Sequence, residues 1–182
     1  MPNYRRTLIP GGTYFFTIVT HERRPWLILP HAREILRAAV IETRKRLPFT
    51  IHAWVLLPEH IHCLWTLPEG DQDFSKRWAL IKRSVSKHAC HLVTREGGVE
   101  HHVRQRHREN PLWQQRFWEH AVRNDEDFKA HMDYVHYNPL RHGLVERVED
   151  WPYSTFHRYV REGFYPRDWG NAPVLPEGKY GE

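Results

Sequence analysis

The alternation of apolar and polar positions divides the chain into seven elements and a tail. Thr13-Tyr14-Phe15-Phe16-Thr17-Ile18-Val19-Thr20 follows Gly11-Gly12 and is β-branched and aromatic throughout, which predicts a buried strand. From His31 to Leu47, Ile35, Leu36, Ala39 and Val40 share one face of a helical period, while Arg33, Arg37, Arg44 and Lys45 fall elsewhere and Pro48 ends the run. Thr50 to Leu57 and His60 to Leu67 are apolar-rich runs separated by Pro58-Glu59. That gap is too short for a helical crossover, so the two runs predict an antiparallel hairpin. A second helix is predicted from Asp73 toward Arg95, with Trp78, Ile81, Val85 and Leu92 as its apolar face. Glu96 to Asn110 lacks apolar periodicity and reads as a mobile basic loop, and Leu112 to Val122 as a short strand. Asp125 to Tyr137 predicts a helix with Asn124 or Asp125 as N-cap and acids in the first turn, where they complement the helix dipole. Beyond Pro139 the chain is rich in turns and aromatics and reads as a tail packed on the domain, fraying after Asn171.

The order strand, helix, strand, strand, helix, strand, helix predicts an α+β fold. The expected form is a ferredoxin-like split βαβ antiparallel sheet with helices packed on one face, plus a C-terminal tail. Composition agrees: 182 residues, 40% hydrophobic, 13% aromatic and 27% charged, describe one globular domain with no apolar run of membrane-spanning length. Met1 to Pro10 holds Arg5 and Arg6 without a following apolar region, so a cytoplasmic location is expected. Cys63 and Cys90 form no CxxC pair, which leaves a disulfide framework or a zinc finger without support.

Charge changes the picture more. Phe74 to Arg108 carries nine Lys or Arg (Lys76, Arg77, Lys82, Arg83, Lys87, Arg95, Arg104, Arg106, Arg108) against Glu96 and Glu100, whereas the whole chain is only +5. A basic zone of this kind suits a polyanion, although charge runs are also ordinary solvated faces.

Candidate chemistry centres on His60 and His62. On a strand, residues two apart point to the same face, so both imidazoles are presented together. HxH spacing arises easily among fifteen histidines. The weight comes from the setting, an apolar strand in mid-sheet where paired imidazoles need hydrogen-bond partners or a metal. Imidazoles alone do not choose the ion, and a third ligand must come from elsewhere. The helix from Asp125 places Phe128, Met132 and Val135 on one stripe and Tyr134 and Asn138, four apart, on a neighbouring one. Tyr137 is expected to face solvent. Pro139 disfavours helical geometry at Asn138, which is expected at a helix end or kink.

The series Leu57-Pro58-Glu59-His60-Ile61-His62, then Trp113 to Arg123 (WQQRFWEHAVR), then Tyr134 to Val145 (YVHYNPLRHGLV), closing with Trp151-Pro152-Tyr153-Ser154, resembles the REP-associated tyrosine transposases, relatives of the single-tyrosine HUH transposases. The resemblance runs from the first strand to Tyr159, with Glu59 where many relatives have Asn. It implies a catalytic domain over residues 1–145 and a tail, 146–182, packed on it. It also implies His60, His62 and Asn138 as metal ligands and Tyr134 as nucleophile, with a divalent ion (Mg2+ or Mn2+) as cofactor. The implied activity is single-strand DNA cleavage and strand transfer at a palindromic hairpin, through a 5′-phosphotyrosine. A phenolate at pH 7 costs on the order of 4 kcal/mol, which a nearby cation lessens. The covalent intermediate preserves a phosphodiester, so no nucleotide cofactor is expected, and no GxxxxGK[ST] loop occurs.

The implied partner is a DNA hairpin with an adjacent single-stranded segment. Lys76, Arg77, Lys82, Arg83, Lys87, Arg104, Arg106 and Arg108 are expected on its phosphates. Trp78, Trp113 and Trp118 are candidates for stacking an unpaired base, with apolar packing as the commoner fate. A monomer is favoured over a dimer. Two alternatives remain at this point: a non-catalytic nucleic-acid-binding module, and a phosphodiesterase that uses water in place of tyrosine.

Overall fold

The computed structural model describes residues 7–94 and 112–170. Four strands, β1 (Thr13–Val19), β2 (Thr50–Leu56), β3 (His60–Thr66) and β4 (Trp118–Ala121), form one antiparallel sheet in the order β2-β3-β1-β4. The helices are α1 (Pro30–Arg46), α2 (Phe74–Thr94), α3 (Asp125–Arg141) and α4 (Phe156–Arg161). This is the expected ferredoxin-like α+β arrangement, and the Pro58-Glu59 hairpin joins β2 to β3 as predicted. The strand expected over Leu112 to Val122 is confined to Trp118–Ala121, with Trp113 making only an isolated bridge to Thr20.

The pleat sorts the core into two layers. Tyr14, Phe16 and Ile18 of β1 and Ile61, Cys63 and Trp65 of β3 point to one face, where Leu36 and Ala39 of α1 and Phe74, Trp78, Ile81 and Val85 of α2 cover them. Phe15 and Leu64 point to the other, where they meet Met132, Tyr134 and Val135 of α3, with Ala53 and Val55 of β2 alongside. The helices therefore do not all lie on one face, as the sequence had suggested; α3 takes the opposite side. The reason is in β1, which is apolar at both odd and even positions, and in β3, where Ile61, Cys63 and Trp65 line one face and His60, His62 and Leu64 are buried on the other, so both faces need cover.

Two further differences concern α3. Asn124 caps it as expected, its side chain accepting a hydrogen bond from the Asp127 backbone at 2.8 Å. The helix continues through Pro139 to Arg141 rather than ending at Asn138. Proline removes only one donor there, and the end is closed by Gly143 (φ 67°), whose N–H reaches the Leu140 carbonyl while that of Leu144 reaches Pro139. Tyr137 is half-buried, its ring 6.4 Å from that of Trp169, because the C-terminal segment folds over that side.

The segment after α3 covers the exposed edge of β2. Leu56 N–H donates to the Tyr153 carbonyl and Thr155 N–H to the Trp54 carbonyl, and the buried Trp151 indole donates to the Leu56 carbonyl at 3.0 Å. The segment from Trp151 to Thr155 thus satisfies backbone groups that an open sheet edge leaves unpaired.

Candidate active site

His60 and His62 lie on the α3 face of β3 and are buried, at 1% and 0% exposure. Strand register puts Val19 opposite His60 and Thr17 opposite His62. Thr17 Oγ1 is 2.9 Å from His62 Nδ1, and Glu59 Oε1 is 2.9 Å from His60 Nδ1. The two Nε2 atoms then face each other at 3.1 Å. An ionised carboxylate only accepts, so Glu59 fixes the proton of neutral His60 on Nδ1 and leaves a lone pair on Nε2, the form in which imidazole binds a metal. Two buried nitrogens held this way fit a shared divalent ion. The hydrogen bond to His60 also holds the Glu59 carboxyl below the usual range, against the opposing effect of burial. Glu59 therefore contacts the candidate ligand rather than only shaping the turn.

Tyr134 comes to this pair from α3. Its ring is 5.2 Å from that of His62, edge to face, and is backed by Phe15 at 5.8 Å. The guanidinium of Arg141 lies 5.2 Å from the centre of the tyrosine ring on its own helix. Asn138, one turn after Tyr134, is buried at 1% exposure. Next on the same stripe is His142, whose ring is 5.2 Å from His60. Sequence reasoning passed over His142, yet the spacing of four from Asn138 and eight from Tyr134 was the signal that could have found it.

The basic residues divide. Lys76, Arg83 and Lys87 are exposed on α2, and Lys82 is half-buried with its Nζ donating to the Gln114 carbonyl at 2.7 Å. Arg77 is a correction. It is 1% exposed, with its guanidinium donating to the carbonyls of Asp73 (2.9 Å) and Pro48 (2.8 Å) and to the Asp71 carboxylate (2.7 Å), and so faces the core rather than solvent. The aliphatic stem of arginine follows the apolar stripe of α2 and only its head finds polar partners. Arg104, Arg106 and Arg108 lie outside the described residues. Trp78 and Trp113 are core residues, at 1% and 2% exposure, whereas Trp118 is half-buried.

A second basic surface was not anticipated. Arg33, Arg37 and Arg44 of α1 and Arg158 and Arg161 of α4 line a groove of about 990 Å3 beside Trp54 and Tyr153. These arginines are scattered in sequence, and only the docking of the tail on the β2 edge brings them together.

No family model matches the chain. Comparison with individual proteins is informative. The chain is 48% identical over 169 residues to a REP-associated tyrosine transposase of Escherichia coli (strain K12), covering 93% of this chain and 91% of that one. It is 43% identical over 175 residues to a putative REP-associated tyrosine transposase of Haemophilus influenzae, covering 96% and 97%. A solved structure of a REP-associated tyrosine transposase bound to a REP hairpin superposes with a TM-score of 0.82 at 46% identity, covering 100% of this chain and 98% of that one.

Proposed function

The chain belongs to the REP-associated tyrosine transposases, and from that membership we propose that it is a metal-dependent single-strand DNA endonuclease and strand transferase acting at palindromic hairpins. The observation that carries the reading is the meeting of the His60–His62 nitrogen pair, 3.1 Å apart, with the Tyr134 ring 5.2 Å from His62.

In this reading Tyr134 Oη attacks the scissile phosphorus, and the bond from phosphorus to the 3′-oxygen breaks. The products are a 5′-phosphotyrosine on Tyr134 and a 3′-hydroxyl that has taken up a proton. Resolution is the same exchange in reverse, a 3′-hydroxyl displacing the tyrosine, so neither water nor a nucleotide is consumed. His60, His62 and Asn138 would hold a divalent ion of the Mg2+ or Mn2+ kind, which supplies Lewis-acid polarisation of the phosphate. Thr17 and Glu59 orient the two imidazoles, and Phe15 holds the tyrosine ring. Because His62 and Tyr134 meet within one chain, the geometry supports a monomer with a self-contained site.

The solved relative is bound to a REP hairpin, which supports a DNA hairpin as the partner here; the single-stranded segment beside it is part of the same proposal. Lys76, Lys82, Arg83 and Lys87 of α2, with Arg104, Arg106 and Arg108, would take phosphates on one side. The five arginines of the groove, contributed by α1 and α4, offer a second track. The test is a labelled hairpin incubated with manganese and resolved on a denaturing gel. The proposal expects protein-linked DNA that disappears with chelator and with Tyr134→Phe. Cutting without an adduct would mean a water-using phosphodiesterase, and salt-sensitive binding without cutting would mean a non-catalytic module.

A further inference from the structure

A second group of ligating side chains lies on the other side of Phe15. His120 stands opposite Phe15 in the β1–β4 register and so points to the α3 face. Asp127 is in the first turn of α3, and His131 follows one turn later. His120 Nε2 is 2.8 Å from Asp127 Oδ2; His131 Nδ1 is 3.0 Å from Asp127 Oδ1 and 2.8 Å from the Asp127 backbone carbonyl, which takes the Nδ1 proton and leaves the lone pair of neutral His131 on Nε2. The imidazoles stack at 4.6 Å with an interplanar angle of 16°, and one ligand atom from each of the three residues lies within 4.8 Å of the others. Asp127 and His131 are placed by helical spacing of four, and His120 is added by the strand, so the set is assembled from two elements of the fold. The Phe15 ring is 5.4 Å from His62 and 4.8 Å from His131, which separates this cluster from the candidate catalytic pair by one aromatic ring.

We propose that His120, Asp127 and His131 form a second metal site, selective for zinc-class transition ions, which fastens α3 to β4. Two imidazoles and one carboxylate are a donor set for zinc, cobalt or nickel, whereas magnesium and calcium prefer oxygen. Three protein ligands leave the fourth tetrahedral position to water, which suits side chains that are partly accessible, His120 and Asp127 at 21% and 20% exposure. The ion would secure the first turns of α3, and Tyr134 is three residues beyond His131. Its role is therefore to set the seat of the helix rather than to touch DNA.

The full chain, free of any tag, is prepared metal-free with His60→Ala and His62→Ala so that only this site remains. Zinc titration and cobalt(II) ligand-field spectra are expected to show one bound equivalent with a four-coordinate spectrum, an elevated thermal midpoint, and no competition from excess magnesium. Adding Asp127→Asn, or separately the more accessible His120→Gln, is expected to weaken zinc binding at least tenfold in a chain whose circular dichroism is unchanged. Absence of a bound equivalent in the His60→Ala, His62→Ala protein overturns the proposal, as does binding indifferent to both further substitutions. In either case the cluster is a hydrogen-bonded clamp only. If one substitution unfolds the chain, the other decides.

Discussion

Replacing Arg77 with Met separates the structural from the DNA-binding part of the basic helix. The guanidinium is buried and makes three hydrogen bonds, one to the Asp71 carboxylate, whose side chain is 32% exposed, and two to backbone carbonyls. Methionine keeps much of the stem's packing but leaves the Pro48 and Asp73 carbonyls without this donor. Asp71 can turn to water, which limits its share of the loss. Two carbonyls losing a charged donor at about 1–2 kcal/mol each, plus a small ion-pair contribution, give a loss of about 2–4 kcal/mol.

The sign with pH follows from Asp71. Its hydrogen bond to Arg77 is the main cause holding its carboxyl below the ordinary value of 3.8, so the pair's contribution is full above that pH and is lost as pH falls through the folded value. Urea unfolding of wild type and Arg77→Met at pH 7 and pH 3 measures both effects: a lower midpoint for the variant at pH 7, and a smaller difference at pH 3. The DNA-binding readout is the slope of log affinity against log salt. It should be unchanged for Arg77→Met at a temperature where the variant is folded, and shallower by about 0.7–0.9 for Arg83→Met if that exposed side chain meets a phosphate. Unchanged stability together with a shallower slope for Arg77→Met would refute the burial argument.

Other consequences are equally direct. Thr17→Val removes the oxygen beside His62 Nδ1 and should weaken divalent-ion affinity by about 10–100-fold with little change in fold, measured by metal titration of cleavage and by circular dichroism. Glu59→Gln, which offers the same oxygen without the charge, should lower metal affinity less than Glu59→Ala in the same titration. Trp151→Phe loses the buried indole bond to the Leu56 carbonyl and should destabilise the chain by about 1–3 kcal/mol in denaturant unfolding. Arg37→Ala with Arg161→Ala, both exposed on the groove, should weaken hairpin binding and make its salt dependence shallower, while leaving the urea midpoint unmoved.

What could be read from the sequence was set by local pattern. The β2–β3 hairpin follows from two apolar runs around Pro58-Glu59, and the Asn124 cap from the acidic first turn of α3. The common face of His60 and His62 needs only the period of a strand. Properties that depend on distant segments were not visible. The side of the sheet on which α3 packs is decided by both faces of β1 and β3 needing cover, and a helical period cannot report that. Arg77 resembles its basic neighbours in sequence, and only the approach of Pro48 and Asp71 makes it internal. Pro139 signalled a helix end, but the closing hydrogen bonds at Gly143 and Leu144 carry the helix past it. The partners that orient the histidines came half from sequence: Glu59 is adjacent to His60, whereas Thr17 reaches His62 only through strand pairing. The arginine groove had no sequence signal, since its residues come from α1 and from a segment more than a hundred positions later.

The most direct measurement is the identity of the residue that carries DNA. Wild-type protein is reacted with a hairpin bearing a single-stranded extension in the presence of manganese, the complex is digested with protease and nuclease, and the peptide holding the residual nucleotide is sequenced by mass spectrometry. The account predicts a nucleotide linked through its 5′-phosphate to Tyr134 on the α3 peptide. A linkage at another tyrosine, or a cleaved hairpin with no linked peptide, would contradict it.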